Sequence, residues 1–120
     1  MQKSIKQLLD TIIEGIQEKK GHRIVIADFS GIKDPICKYF VICQANSSTQ
    51  IEAIAGSVSD MTRQKLGEKA IGVSGLDNAY WVAIDYGDIM VHILQPQARE
   101  FYDLEHLWED AKLSELPEEY

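Results

Sequence analysis

Along the first twenty residues, Ile5, Leu8, Leu9, Ile12, Ile13 and Ile16 recur at steps of three and four, the spacing that lines one face of an α-helix. The predicted helix covers residues 4–20. Ser4 and Gln7 have capping-box spacing, and Lys19, Lys20 and Gly21 form a stop signal with cations at the negative end of the helix dipole. RIVIAD (23–28) then has the length and β-branched content of a strand, FSGIKDP (29–35) reads as a loop, and YFVICQA (39–45) is apolar enough for a strand buried on both faces. Helical period returns in Ile51, Ile54, Ala55, Val58 and Met61. That second helix starts at the cap Ser47, with Gln50 three residues on, and ends near Gly67. AIGV (70–73) is a candidate short strand and SGLDNA (74–79) a loop. After two further strand-like runs, PQAREFYDLEHLWEDA places Phe101, Leu104, Trp108 and Ala111 at helical steps with Pro96 in the first turn. This predicts a third helix, with LSELPEEY as an acidic, frayed end.

The order helix, strand, strand, helix, short strand, strand, strand, helix predicts an α/β or α+β domain with a mixed, partly antiparallel sheet and packed helices. One domain over residues 1–112 and an acidic tail over 113–120 follow. A chain of 120 residues is long enough for a single hydrophobic core.

WVAIDYGDIMVHIL (81–94) is the most informative stretch. Gly87-Asp88 between two strand-like runs fits a two-residue type II′ turn, with Gly87 supplying the positive φ. The register is then Asp85 with Met90, Ile84 with Val91, Ala83 with His92, Val82 with Ile93 and Trp81 with Leu94. Because side chains alternate between faces, Val82, Ile84, Tyr86, Ile89, Val91 and Ile93 form the core side. Trp81, Ala83, Asp85, Met90, His92 and Leu94 form the other. That second face has the mixed aromatic, methionine and polar make-up of a protein interface, or it lies beneath the third helix with Trp81 in the core. Spacing leaves both readings open.

Composition narrows the chemistry. Lys and Arg total 12 against 19 Asp and Glu, a net charge of −7; such a surface repels phosphate backbones and favours a basic protein over bare nucleic acid. No apolar run reaches the roughly 18 residues of a membrane span, and the N-terminus lacks the apolar core of a signal peptide, so a cytoplasmic location is expected. Cys37 and Cys43 read as packing residues of a reducing compartment. Asp85 and His92 share a face diagonally while Asp88 sits at the turn tip, so the three do not converge on one ion, and no CxxC, HxxxH or HExxH completes a metal set. No cofactor is expected. His22, His92 and His106 fall in separate elements, and no nucleophile–base arrangement emerges.

YFVICQANSSTQ, WVAIDYGDIMVHIL and REFYDLEHLWEDA together resemble the ribosomal silencing factor family, also called Iojap, from about residue 4 to 112. The most specific parts are Trp81 with DYGD and VHI, followed by RxFYxLExLWxDA. The resemblance implies a nucleotidyltransferase-like fold without catalytic carboxylates, in keeping with the absence of Asp-x-Asp, and a protein that is not an enzyme. It further implies docking on the large ribosomal subunit through its ribosomal protein number fourteen. The small subunit is then blocked sterically and translation is repressed. Large-subunit assembly, residual nucleotidyl transfer, and self-association as a homodimer when free stand as alternatives. Carried onto this chain, the partner-binding residues are Trp81, Asp85, Tyr86, Asp88, Met90 and Leu94, with Trp81 as apolar anchor and the aspartates facing basic groups. Ala45-Asn46, Thr49 and KDPICK depart from the family pattern outside the hairpin, which leaves the 31–38 loop without an implied role.

Overall fold

The structure is a computed structural model that describes residues 4–108 and 110–118. Helix α1 (Ile5–Glu18) carries the predicted capping box in full: Ser4 Oγ accepts from the Gln7 N–H at 3.0 Å, and Gln7 Oε1 accepts from the Ser4 N–H at 3.1 Å. Its stop differs from the expectation in one residue. Lys20, not Gly21, takes the left-handed conformation (φ 57°), and the N–H groups of Lys20 and Gly21 close onto the carbonyls of Gln17 and Ile16. Gly21 is required for another reason: a Cβ there would lie 2.4 Å from Ile16 Cγ2.

Strands β1 (His22–Asp28) and β2 (Tyr39–Gln44) form an antiparallel pair. Helix α2 (Ser48–Leu66) follows, capped by Ser47 and ended by Gly67 at φ 67°. Short β3 (Gly72–Ser74) leads to β4 (Trp81–Asp85) and β5 (Ile89–Leu94). The sheet order is β3-β4-β5-β2-β1-β6, and β2 with β5 is its parallel pair, the others running antiparallel. The α+β class with a mixed sheet is as expected.

Two regions near the C-terminus depart from the sequence reading. The single helix expected over 96–111 is instead α3 (Pro96–Tyr102), a break at Asp103 (φ 46°) and a 3₁₀ turn at Leu104–His106. Asp tolerates the left-handed region better than most residues, and the break sends Phe101 into solvent, 80% exposed, while Leu104 and Trp108 still pack inward. The second departure is β6 (Lys112–Glu115), which pairs antiparallel with β1, so residues 113–115 of the expected frayed tail are sheet. Past it, Leu116 N–H donates to Ile24 O at 2.9 Å, and Glu118 accepts from the Arg23 N–H at 2.7 Å. Residues 119–120, also part of the expected tail, lie outside the described residues, as does Glu109 of the expected helix.

The sheet separates two cores. On one side α1 and α2 pack Leu8, Ile12, Ile16, Ile51, Ile54 and Val58 against Val41, Val82, Ile84, Ile89, Val91 and Ile93. The helices approach closely at Gly15, where a Cβ would stand 2.9 Å from the Cα of Val58, and Ser57 Oγ donates to Gly15 O at 2.8 Å. On the other side Phe29, Phe40, Ile42, Leu94, Ala98 and Leu104 form a smaller core, with Trp81, Met90 and Trp108 packed partly against it. Phe29, Phe40 and Trp108 meet edge to face at centroid separations of 4.9, 5.0 and 5.6 Å, a favoured arrangement of ring quadrupoles.

Arg99 locks α3 onto this second side. Only 5% of its side chain is exposed; Nε and Nη2 hold both oxygens of Glu105 at 3.0 and 3.2 Å, and Nη1 reaches Arg23 O at 2.7 Å and Gln44 Oε1 at 3.3 Å. A bidentate pair with two further acceptors on Nη1 is a geometry in which a buried charge is tolerated. Arg99→Leu strands the Glu105 carboxylate and is expected to cost about 3 kcal/mol in urea denaturation, with Arg99→Leu/Glu105→Leu recovering part of the loss; a double variant no better than the single one counts against the pairing. Gly15→Ala raises helix propensity by about 1 kcal/mol, yet it is expected to lower stability by about 1–3 kcal/mol through overpacking on Val58. A gain in melting temperature would contradict the close helix crossing.

Candidate functional site: the outer face of the β4–β5 hairpin

The hairpin pairs in the expected register throughout: Trp81 with Leu94, Val82 with Ile93, Ala83 with His92, Ile84 with Val91 and Asp85 with Met90. Tyr86 N–H donates to Ile89 O at 2.9 Å, and Gly87 has φ 86° while Asp88 has none of the positive φ that a type I′ turn demands. Asp85 Oδ1 accepts from the Gly87 N–H at 2.7 Å, which holds that carboxylate at the turn. Asp88 projects into solvent, and its backbone oxygen takes N–H groups from Lys38 and Tyr39 at 2.8 and 3.1 Å. The tip is thereby pinned to the start of β2.

The six residues expected at the partner surface separate by depth. Trp81, Asp85 and Met90 are half-buried and Asp88 is exposed, so these four share an accessible edge. Tyr86 faces the main core; it is 8% exposed, and its hydroxyl shares a 2.8 Å hydrogen bond with Thr62 of α2. Burial also pushes the Tyr86 phenol up in pKa, against the opposing pull of its Thr62 and Ser59 contacts. Leu94 is fully covered, in the second core with Ala98 and Leu104. Strand alternation explains both positions: Tyr86 falls on the helix-covered side, and Leu94 lies at the β5 end that α3 overlies.

Trp81 is partly covered and partly open, so each of the two sequence readings describes one side of its ring. The Tyr102 ring of α3 lies 4.6 Å from the indole at a 44° tilt, and Phe101 stands edge-on to Tyr102 at 5.0 Å. Tyr102 and Phe101 are 44% and 80% exposed and continue the aromatic surface beyond the hairpin. The helical spacing of Phe101 with Leu104 and Trp108 predicts a buried face, and Phe101 departs from it. The signal that separates them is the Asp that follows, since a helix ended at Tyr102 turns its last residues outward.

His92 sits behind this surface. It is 4% exposed, and its Nδ1 accepts from Trp81 Nε1–H at 3.1 Å. Asp85, the acid that shares its face, is directed to the turn instead. Burial pushes the imidazole down to about 4, so it stays neutral near pH 7, and the DYGD…H stretch holds no acid–base pair. Among the described residues no group of three or more His, Cys, Asp or Glu is placed to hold a metal ion. Cys37 and Cys43 are buried free thiols, each raised by desolvation, Cys43 to about 12; thiolate chemistry has no support here.

The depressed imidazole has a consequence for stability. The unfolded chain takes up this proton near 6.5 and the folded chain near 4, so the unfolded state binds more protons in between. The contribution of neutral His92 is present above pH 6.5 and is lost as pH falls toward 4. Relative to His92→Phe, the wild type is expected to lose up to about 3 kcal/mol across that window in urea denaturation at stepped pH. Parallel pH profiles for the two proteins would refute a buried neutral imidazole.

No helix among the described residues is long and apolar enough to cross a membrane. The family described as "Ribosomal silencing factor during starvation" matches residues 2–120. The chain is 35% identical over 111 residues to the Bacillus subtilis protein named Ribosomal silencing factor RsfS, covering 92% of each. To the Haemophilus influenzae protein of that name it is 37% identical over 101 residues, 84% of this chain and 97% of the relative. Protein Iojap, chloroplastic, of Zea mays is 36% identical over 80 residues, 67% of this chain and 34% of that longer protein. In structure the chain is similar to a crystal structure of a Chromobacterium violaceum protein (TM-score 0.83, 28% identity, 98% and 97% of the two chains). A crystal structure of a Bacillus halodurans protein is also similar (TM-score 0.78, 32% identity, 92% and 99%). With the family model matched over residues 2–120 and relatives above 30% identity aligned over more than nine-tenths of both chains, this chain belongs to the ribosomal silencing factor family, whose members are not enzymes.

Proposed function

We propose that this protein represses translation by seating the outer hairpin face on ribosomal protein number fourteen of the large ribosomal subunit, where its bulk blocks joining of the small subunit. The observation that carries the reading is the half-open indole of Trp81, continued by Tyr102 and Phe101, beside the carboxylates of Asp85 and Asp88. Interfaces draw much of their binding energy from buried aromatic anchors with a polar rim. A net charge of −7 opposes direct contact with ribosomal RNA and favours a basic protein as the platform.

On this reading Trp81, Met90, Tyr102 and Phe101 make the apolar contact, and Asp85 and Asp88 meet basic groups. Tyr86 and Leu94 act from beneath, Tyr86 by tying the turn to α2 and Leu94 by seating α3. The scaffold is then of the nucleotidyltransferase type with its catalytic carboxylates absent, consistent with a chain that has no Asp-x-Asp. Steric exclusion needs occupancy and no chemistry.

Trp81→Ala is expected to weaken cosedimentation with purified large subunits about thirtyfold or more, the loss typical of a binding hot spot, and to restore whole-ribosome formation when small subunits are added. Circular dichroism and the urea midpoint verify that the variant still folds. Cosedimentation equal to wild type would remove Trp81 from the interface. Asp88→Lys, at the exposed tip, is expected to slow association and reduce its sensitivity to salt.

A further inference from the structure

Trp81 donates its indole N–H to His92 Nδ1 at 3.1 Å. Nδ1 must then be the unprotonated nitrogen, and the ring proton of the neutral imidazole resides on Nε2. Nε2 is buried and meets no hydrogen-bond partner among the described residues. An unpaired buried donor lowers stability, and the ring packs against an apolar neighbour, the Phe40 ring centroid lying 4.5 Å from that of His92 at 66° between planes. A hydrocarbon ring would fill the same site without the orphaned N–H. What imidazole contributes there and phenyl does not is the acceptor aimed at the indole.

The indole is therefore held from two sides. His92 fixes its N–H edge from below the surface, and the Tyr102 ring lies against it at 4.6 Å. A side chain so restrained has already given up its rotamer freedom before a partner arrives, which leaves more of the contact energy available for binding.

We infer that His92 is the positioning residue of the docking face: through Nδ1 it sets the orientation of the Trp81 indole and so preorganises the anchor. This rests on the reading of Trp81 as the anchor, and the test separates the two. His92→Phe keeps a ring and removes both the acceptor and the unpaired donor; His92→Asn keeps an acceptor oxygen near the Nδ1 position but leaves part of the cavity empty and adds unpaired N–H groups. Affinity and stability should then rank in opposite order. His92→Phe is expected to be at least as stable as His92→Asn yet to bind large subunits about five- to tenfold more weakly than wild type, the range expected when one immobilised side chain is released. His92→Asn, less stable, is expected to bind within about twofold of wild type.

A spectroscopic readout accompanies the binding measurement, because the chain has only 2 tryptophans and each indole N–H gives one proton–nitrogen correlation. In the wild type the Trp81 signal is expected downfield and slow to exchange with solvent; in His92→Phe it moves upfield and exchanges faster, while Trp108 changes far less. Wild-type affinity in His92→Phe alongside lost affinity in Trp81→Ala overturns the positioning role and leaves the anchor intact. Affinities that follow stability across the two variants overturn it as well, because they indicate a structural residue only. Wild-type affinity in Trp81→Ala removes the anchor and the inference together.

Discussion

Strand β5 lies between the parallel β2 and the antiparallel β4 and must furnish two cores from one backbone. Period-two alternation gives Ile89, Val91 and Ile93 to the side covered by α1 and α2, and leaves Met90, His92 and Leu94 for the side that α3 covers only in part. The first side is one continuous core. The second is too small to be closed by one seven-residue helix, so its rim is where half-buried groups accumulate. Trp81, Asp85 and Met90 are at that rim because the strand that fills the main core has no other way to place them. The candidate surface is thus a by-product of sheet geometry.

The hairpin register was legible because a Gly-Asp pair between two alternating apolar runs admits few pairings, and a slip of one residue would turn the whole core face outward. Helices α1 and α2 were legible for the same kind of reason, period and caps agreeing at both ends of each. Helix α3 was not. Its apolar spacing runs on through Leu104 and Trp108, and what stops it is Asp103 in a left-handed conformation, with the Arg99–Glu105 pair closing over the break. That pair draws on Arg23 and Gln44, distant in sequence, and local pattern carries no trace of it. Strand β6 was missed because KLSE has little strand pattern of its own; the open edge of β1 recruits it through backbone hydrogen bonds.

At the site itself the sequence set Trp81, Asp85, Met90 and His92 on one face, as the register bears out, but left open which of them meet. His92 has two diagonal neighbours across the hairpin, Asp85 toward the tip and Trp81 toward the base, both within reach of long side chains. An acid and an imidazole suggest chemistry, and the eye goes to that pair. Desolvation decides otherwise. Near the turn Asp85 has a backbone N–H to accept, whereas a buried neutral imidazole next to an indole has one natural donor available. Which diagonal forms depends on how deeply α3 covers each end of the strand, and depth is a tertiary property.

The C-terminal strand bears on how the molecule behaves among its own copies. Without it, β1 would present a row of unpaired backbone donors and acceptors seven residues long, the kind of edge on which sheets grow from one chain to the next. β6 occupies that edge with a four-residue strand that begins with Lys112 and ends with Glu115, all of it solvent-exposed and soon followed by Pro117. The opposite edge is β3, three residues long. The fold thus carries its own guard against polymerising, in a segment that composition alone marks as dispensable.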